Sequence, residues 1–318
     1  GVLGAASAGT QTITNNNTLA IADGSGGLAS NYTLSGATIN VTIIPRTLNV
    51  SLSREYDGTT SVSGSSLTPT FDSLQGGETL ALSGTGSVST ANVGSSKAVT
   101  LGTIALAAGS GNPSNYTLNT ATINVTQRVI NLDGIRAYDA TTNVLSSDIN
   151  TFGNIVSGET LTISGTGSVG TNSVGMNKTI TTGPLALGNG SGLASNYTLT
   201  GGTHTFDISP VSVNVTGNRQ YNGTNVIDSS DLLLTNLLTG ETVSLSGQGT
   251  VVSADVGANK TVTSVNLALT GANAGNYTLN SYTTSFEILP KVINLTGTKV
   301  YDGLNTVPNA SLTVTTGV

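Results

Sequence analysis

Tyr56-Asp57-Gly58-Thr59 is the stretch that decides the fold, because it recurs at a fixed period. It returns as Tyr138-Asp139-Ala140, Tyr221-Asn222-Gly223 and Tyr301-Asp302-Gly303, at intervals of 82, 83 and 80 residues. Three further motifs keep step with it. Asn-Tyr-Thr-Leu begins at Asn31, Asn115, Asn196 and Asn276, so its tyrosines are Tyr32, Tyr116, Tyr197 and Tyr277. Gly-Glu-Thr begins at Gly77, Gly158 and Gly240. A Val-Gly pair is followed by Lys three residues after the Gly, as in Val93/Gly94/Lys97, Val174/Gly175/Lys178 and Val256/Gly257/Lys260. The order never changes, which marks one module copied in tandem.

The scarce residue types obey the same grid. All ten basic residues fall into three slots. Arg54, Arg136, Arg219 and Lys299 stand two before the motif tyrosine, while Arg46, Arg128 and Lys291 stand ten before it. Lys97, Lys178 and Lys260 fill the third slot, and eight of the nine tyrosines belong to motifs. Pro45, Pro210 and Pro290 precede the slot that opens each module, with Gln127 at the remaining junction. The boundaries expected from this are modules at 46–127, 128–209 and 210–290, the back part of one at 1–45, and the front part of another at 291–318.

Composition bounds the chemistry. The 318 residues include no Cys, no Trp, one Met and one His, and only 8% are charged. Disulfides, thiol chemistry and Cys-based zinc sites are excluded. General acid–base catalysis near neutral pH usually relies on His, and only His204 is available, so no enzyme is expected and no cofactor is called for. Net charge is −6, which speaks against nucleic acid and anionic membrane surfaces as partners. No apolar run approaches the ~18 residues of a membrane span, so no membrane insertion is expected. The chain opens at Gly1 rather than Met, which reads as an internal piece of something longer.

Period-2 patterning predicts strands. Thr38-Ile39-Asn40-Val41-Thr42-Ile43, Leu48-Asn49-Val50-Ser51-Leu52 and Ala98-Val99-Thr100-Leu101 alternate apolar and polar residues, as strands with one buried face do. Clusters of Gly, Asn and Ser separate them as turns. About seven strands per ~80-residue module suits tandem Ig-like β-sandwiches in an elongated rod. A β-solenoid is the alternative, although its usual sub-period of ~20–30 residues is not seen.

The four motifs in this order resemble the Tyr-Asp-Gly (YDG) repeat domain, found among the mostly-β, glycine-rich modules of large bacterial filamentous-haemagglutinin-type adhesins. The resemblance spans essentially the whole chain. It implies an extracellular or cell-surface stalk or fibre, with no enzymatic activity in the repeat. Ala140, Asn222 and Val211 depart from the motif residues and the basic slot.

Candidate sites carry bland and sharp readings. Asp57-Gly58, with its counterparts Asp139, Asn222-Gly223 and Asp302-Gly303, reads as a β-turn in which the acid accepts backbone N–H bonds. Calcium ligation is the sharper reading, but calcium wants six to eight oxygens and Asn222 replaces one acid. Glu78/Lys97, Glu159/Lys178 and Glu241/Lys260 are each 19 apart, which suggests a cross-strand ion pair. With Asn115, Asn196 or Asn276 they would also furnish the parts of a Lys–Asn isopeptide crosslink. The periodic tyrosines read as structural, with sugar stacking as the alternative. His204 has no recurrent counterpart and reads as an exposed strand residue. Gly165-Thr166-Gly167-Ser168-Val169-Gly170 imitates a dinucleotide glycine pattern without a strand–helix context.

The expected function is therefore a structural stalk or fibre segment of a large extracellular bacterial adhesin, partnered by neighbouring repeats of the same chain. One alternative is a filament subunit joined to copies of itself by strand exchange. Another is a glycan- or calcium-binding module.

Overall fold

A computed structural model describes residues 1–15, 18–279 and 282–315. Positions 16–17, 280–281 and 316–318, which belong to the expected modules 1–45, 210–290 and 291–318, lie outside the described residues. The described chain is all-β, and its helical content consists of three-residue 3-10 turns. No solenoid forms among the described residues; the strands gather into several separate sheets. Contacts divide the chain into two compact units. Unit 1 comprises residues 1–131, 152–163 and 186–202; unit 2 comprises 132–151, 164–185 and 203–318.

In unit 1 the strand Arg46–Glu55 opens the repeat. Its alternation puts Leu48, Val50 and Leu52 in the core and the intervening polar residues outside. It pairs in parallel with the closing strand Tyr116–Thr126, from Arg46 opposite Tyr116 to Glu55 opposite Thr126, with one register shift between Leu118 and Thr120. Parallel pairing of the first and last strands requires a long crossover, which the rest of the repeat supplies. Gly94–Val99 pairs antiparallel with the closing strand, and Thr70–Phe71 with the opening one. The antiparallel ribbon Leu80–Ser83 with Ala105–Ala108 packs Leu80 and Leu106 against Leu48 and Tyr116. Because the first and last strands run the same way, the chain leaves the repeat in the direction in which it entered.

Unit 2 uses the same plan. Val211–Gln220 runs parallel to Tyr282–Leu289, within the sheet order Val226–Asp228, Gln248–Thr250, Gly257–Ser264, Tyr282–Leu289, Val211–Gln220, Leu232–Thr235. Val215, Ile227, Leu232, Val251, Val262, Phe286 and Ile288 form its core. A second parallel pair joins Asn131–Ala137 to His204–Ser209. Here one expectation is corrected. His204 is only 8% exposed, and its Nδ1 accepts the Leu132 N–H at 3.1 Å. It shares an alternation phase with the buried Phe206 and Ile208, so the strand carries it inward, and the backbone N–H satisfies its ring nitrogen.

Candidate functional site

The Tyr-Asp-Gly turn is built the same way in each copy. Oδ1 of Asp57 accepts the Thr59 N–H at 2.9 Å and the Thr59 hydroxyl at 3.0 Å. Asp139 serves Thr141 at 2.9 and 3.0 Å, and Asn222 serves Thr224 at 3.1 Å in both bonds. Asp302 accepts the Leu304 N–H at 3.0 Å. This Asx turn needs one side-chain oxygen, which Asn supplies as well as Asp. The third residue sits in the left-handed region, with φ of +76° at Gly58, +79° at Gly223, +73° at Gly303 and +63° at Ala140.

The basic residue two before the tyrosine clamps the turn from below. Arg54 donates to the Thr59 and Ser61 carbonyls, Arg136 to Thr141 and Asn143, and Arg219 to Thr224 and Val226. Lys299 does the same to Leu304 and Thr306. Ion pairs with the motif acid add to this at Arg54–Asp57 (3.1 Å), Arg136–Asp139 (2.9 Å) and Lys299–Asp302 (2.6 Å). The Arg136 guanidinium also lies over the Phe206 ring, 5.6 Å from its centroid, in cation–π geometry. The fixed basic slot pointed to some role for these residues; the clamp is what fills it. No cluster of three or more His, Asp or Glu suited to a metal occurs among the described residues.

Val-Gly-x-x-Lys encodes a β-bulge. Gly94 lies opposite Val125 and Lys97 opposite Ile123, so three steps on one strand match two on the other. Gly175/Lys178 against Ile208/Phe206 and Gly257/Lys260 against Ile288/Phe286 repeat the mismatch. The residue before each Lys takes positive φ (Ser96, Asn177, Asn259), as an extra residue in a ladder often requires. The bulge turns the lysine back onto its own loop. Lys97 Nζ donates to the Thr90 and Asn92 carbonyls at 2.6 and 2.5 Å, Lys178 to the Thr171 hydroxyl at 2.8 Å, and Lys260 to the Ser253 carbonyl at 3.2 Å.

The motif glutamates and tyrosines meet across the repeat junctions. In unit 1, Glu159 receives the Tyr197 hydroxyl of its own repeat at 2.7 Å on Oε2. Its Oε1 receives the Tyr56 hydroxyl of the preceding repeat at 2.5 Å. The two rings stack edge to face at 5.5 Å, a favoured aromatic arrangement. Tyr197 Oη also accepts the Val156 N–H at 3.2 Å. Asn196, beside Tyr197, accepts the Val93 N–H of the preceding repeat at 3.0 Å. Arg128 reaches back to the Tyr56 carbonyl at 3.3 Å. Thus all four motifs and one basic slot converge at a single joint.

Unit 2 holds a second, less complete copy of this joint, in which Glu241 Oε2 is buried without a hydrogen-bond partner. Tyr138 donates to Glu241, Tyr138 and Tyr277 lie edge to face at 5.8 Å, Tyr277 Oη accepts the Leu238 N–H at 3.1 Å, and Asn276 accepts the Val174 N–H at 3.0 Å. Burial, reinforced by the adjacent carboxylate, pushes the Tyr138 and Tyr197 hydroxyls up to about 12. Tyr56 and Tyr277 are raised for the same reasons in the same order.

The expected Glu–Lys pairs are corrected by this arrangement. Among the described residues, Glu78, Glu159 and Glu241 form no salt bridge with Lys97, Lys178 or Lys260. Each glutamate turns to tyrosine hydroxyls and each lysine to its own loop, so the Lys–Asn–Glu trio of an isopeptide bond is not assembled. Tyr56, Tyr116, Tyr138, Tyr197 and Tyr277 are buried in these contacts, whereas Tyr32 and Tyr301 are 67% and 93% exposed. Tyr221 is half-buried against the core of unit 2.

Comparison with known proteins adds one positive finding. The YDG domain matches three times, over residues 40–123, 125–205 and 208–285. No curated protein matches the chain, and no solved structure does. With three matches covering most of its length and carrying the motifs that build both joints, the chain belongs to the YDG domain family.

Proposed function

We propose that this chain is a spacer: a stalk or fibre segment of a large extracellular bacterial adhesin of the filamentous-haemagglutinin type, acting by length and stiffness and not by catalysis. The observation that carries this reading is the bond from Tyr56 to Glu159, with its counterpart from Tyr138 to Glu241. The repeated side chains are spent on fastening one repeat to the next. A hinge between modules would leave those hydroxyls to water. Here the junction instead buries two aromatic rings, a shared carboxylate and an Asn-to-backbone bond, so bending it would break several contacts together. The strand-to-strand passage through Gln127 leaves one residue between Thr126 and Arg128, too short for a flexible linker. Low charge and the absence of Cys suit a long chain exported unfolded and displayed at a cell surface.

Solution scattering with electron microscopy tests the proposal. The expected particle has a constant cross-section, and Glu159→Ala is expected to shorten its persistence at one junction. A wild-type chain that behaves as freely jointed beads would remove the support.

A further inference from the structure

Asn222 carries an amide where its counterparts Asp57, Asp139 and Asp302 carry an acid. Gly223 follows it, and both residues are exposed. Asn222 Oδ1 accepts the Thr224 N–H and the Thr224 hydroxyl, each at 3.1 Å. Two donors on one amide oxygen draw electrons from Cγ and favour the oxyanion that forms when a nucleophile attacks there. The adjacent nucleophile is the Gly223 amide nitrogen, whose attack closes a succinimide ring. Among the described residues no backbone carbonyl holds the Gly223 N–H, and glycine brings no Cβ to shield it. The sequence has one other Asn-Gly pair, Asn189-Gly190, which is also exposed. There the Gly190 N–H is bonded to the Gly192 carbonyl at 3.1 Å, and Asn189 Oδ1 accepts the Ala194 N–H at 2.8 Å.

The charge that Asn222 lacks has a waiting partner. Arg54, Arg136 and Lys299 each pair with their motif acid, at 3.1, 2.9 and 2.6 Å. Arg219 is 9% exposed and donates to the Thr224 and Val226 carbonyls, but among the described residues it has no carboxylate partner. We propose that Asn222 is a self-modifying site, which deamidates through the Gly223 nitrogen to an aspartate that pairs with Arg219. In the first step the bond from Gly223 nitrogen to Cγ forms, the Cγ–Nδ2 bond breaks, and Nδ2 leaves as ammonia with the Gly223 amide proton. In the second, water adds at Cγ, the bond from Gly223 nitrogen to Cγ breaks, and that nitrogen takes back a proton. Asparagine and water thus become aspartate and ammonia, and nothing is oxidised or reduced. Opening at the Asn222 backbone carbonyl instead would route the chain through Cβ and Cγ and break the turn. The Thr224 donors and the Arg219 guanidinium therefore favour opening at Cγ. The repeat made without the motif acid acquires it with no enzyme.

Peptide mapping by mass spectrometry tests it, after the 318-residue chain has been held in warm, mildly alkaline, heavy-oxygen water. Residue 222 is expected to become labelled aspartate, with isoaspartate the minor product. Asn189 is expected to lag about tenfold, because the Gly190 N–H must first give up its hydrogen bond. In concentrated urea, where both pairs are released from the fold, that lag is expected to vanish. Asn222→Asp, which is the finished product, is expected to raise the urea midpoint above wild type at low salt and to lose the gain at high salt, where the ion pair is screened. An Asn222 that keeps its amide in the folded chain and loses it in urea overturns the proposal, as does equal reaction at Asn189 and Asn222 in the folded chain. Isoaspartate as the main product, or an Asn222→Asp chain no more stable than wild type at low salt, overturns the pairing with Arg219.

Discussion

Glu159 and Glu78 occupy the same place in successive repeats and hold the same tyrosine, yet they do different amounts of work. Glu159 binds two hydroxyls, one from each side of a junction. Among the described residues, Glu78 binds one, that of Tyr116, within its own repeat. Tyr197 is correspondingly 2% exposed and Tyr116 8%. The comparison separates what a repeat builds alone from what its neighbour adds. The tyrosine–glutamate bond, the backbone N–H on the tyrosine oxygen and the core beneath them are intrinsic to a repeat. The second hydroxyl and the edge-to-face ring arrive with the preceding Tyr-Asp-Gly turn.

The largest effect expected from this difference is at Glu159. Glu159→Ala strips the partner from two buried hydroxyls, and a buried polar group left unsatisfied costs roughly 1–3 kcal/mol. A loss of about 3 kcal/mol is expected in urea unfolding followed by the near-ultraviolet dichroism of tyrosine. Glu78→Ala, which removes one partner at a more open site, is expected to cost clearly less. Equal losses at the two positions would show that the junction adds nothing to the intrinsic bond.

Next comes the response to alkali. A tyrosine whose hydroxyl is raised in the folded protein keeps its proton there after the unfolded chain has released its own near pH 10. Above that pH the unfolded state binds fewer protons, so stability falls as pH rises. Tyr138 and Tyr197, pushed up to about 12, should leave stability intact below about pH 10 and withdraw their contribution between about pH 10 and 12. Phe at both positions should flatten that fall, as measured by urea midpoints at successive pH values. A double variant with the wild-type slope would detach the effect from the joints.

A third comparison sets the turn against its own packing. An added Cβ on Gly58 would approach Val156 Cγ1 to 2.8 Å, and its φ of +76° penalises any side chain. Gly58→Ala is expected to cost about 1–2 kcal/mol, visible as faster hydrogen exchange in unit 1 alone. Exchange that quickens equally in unit 2 would deny the local origin of the effect.

Much of this was legible in the sequence and some was not, for a definite reason. The period, the strand alternation of Leu48-Val50-Leu52 and the Asx turn at Asp57 follow from local rules that need no knowledge of distant partners. The joint does not. In a tandem repeat every motif lies at a constant distance from every other, so the 19-residue spacing of Glu78 and Lys97 is a consequence of copying and says nothing about pairing. The real partners, Tyr56 and Glu159, are 103 residues apart, farther than one period, and only folding shows which repeat each tyrosine serves. Lys97 was out of reach for a related cause, since the bulge that redirects it depends on the register with Ile123 and Val125. His204 was different: its phase with Phe206 and Ile208 was visible, but a lone polar side chain was set outside when a backbone N–H could satisfy it within.

The smallest effect concerns the one motif turn whose third residue is not glycine. Ala140 holds φ +63°, where its Cβ crowds the backbone, whereas Gly58, Gly223 and Gly303 hold similar angles without that cost. The Asx bonds from Asp139 to Thr141 are as short as those from Asp57 to Thr59, so the turn is complete and the strain resides in the backbone. Ala140→Gly should relieve it at the expense of a more flexible unfolded chain, and the balance expected at a left-handed site is a gain of about 0.5–1 kcal/mol. The gain should fall on unit 2 and leave unit 1 unchanged in hydrogen exchange. If Ala140→Gly instead destabilises, the methyl group is contributing packing that outweighs the strain, and the variation among the four turns is then compensated and not merely tolerated.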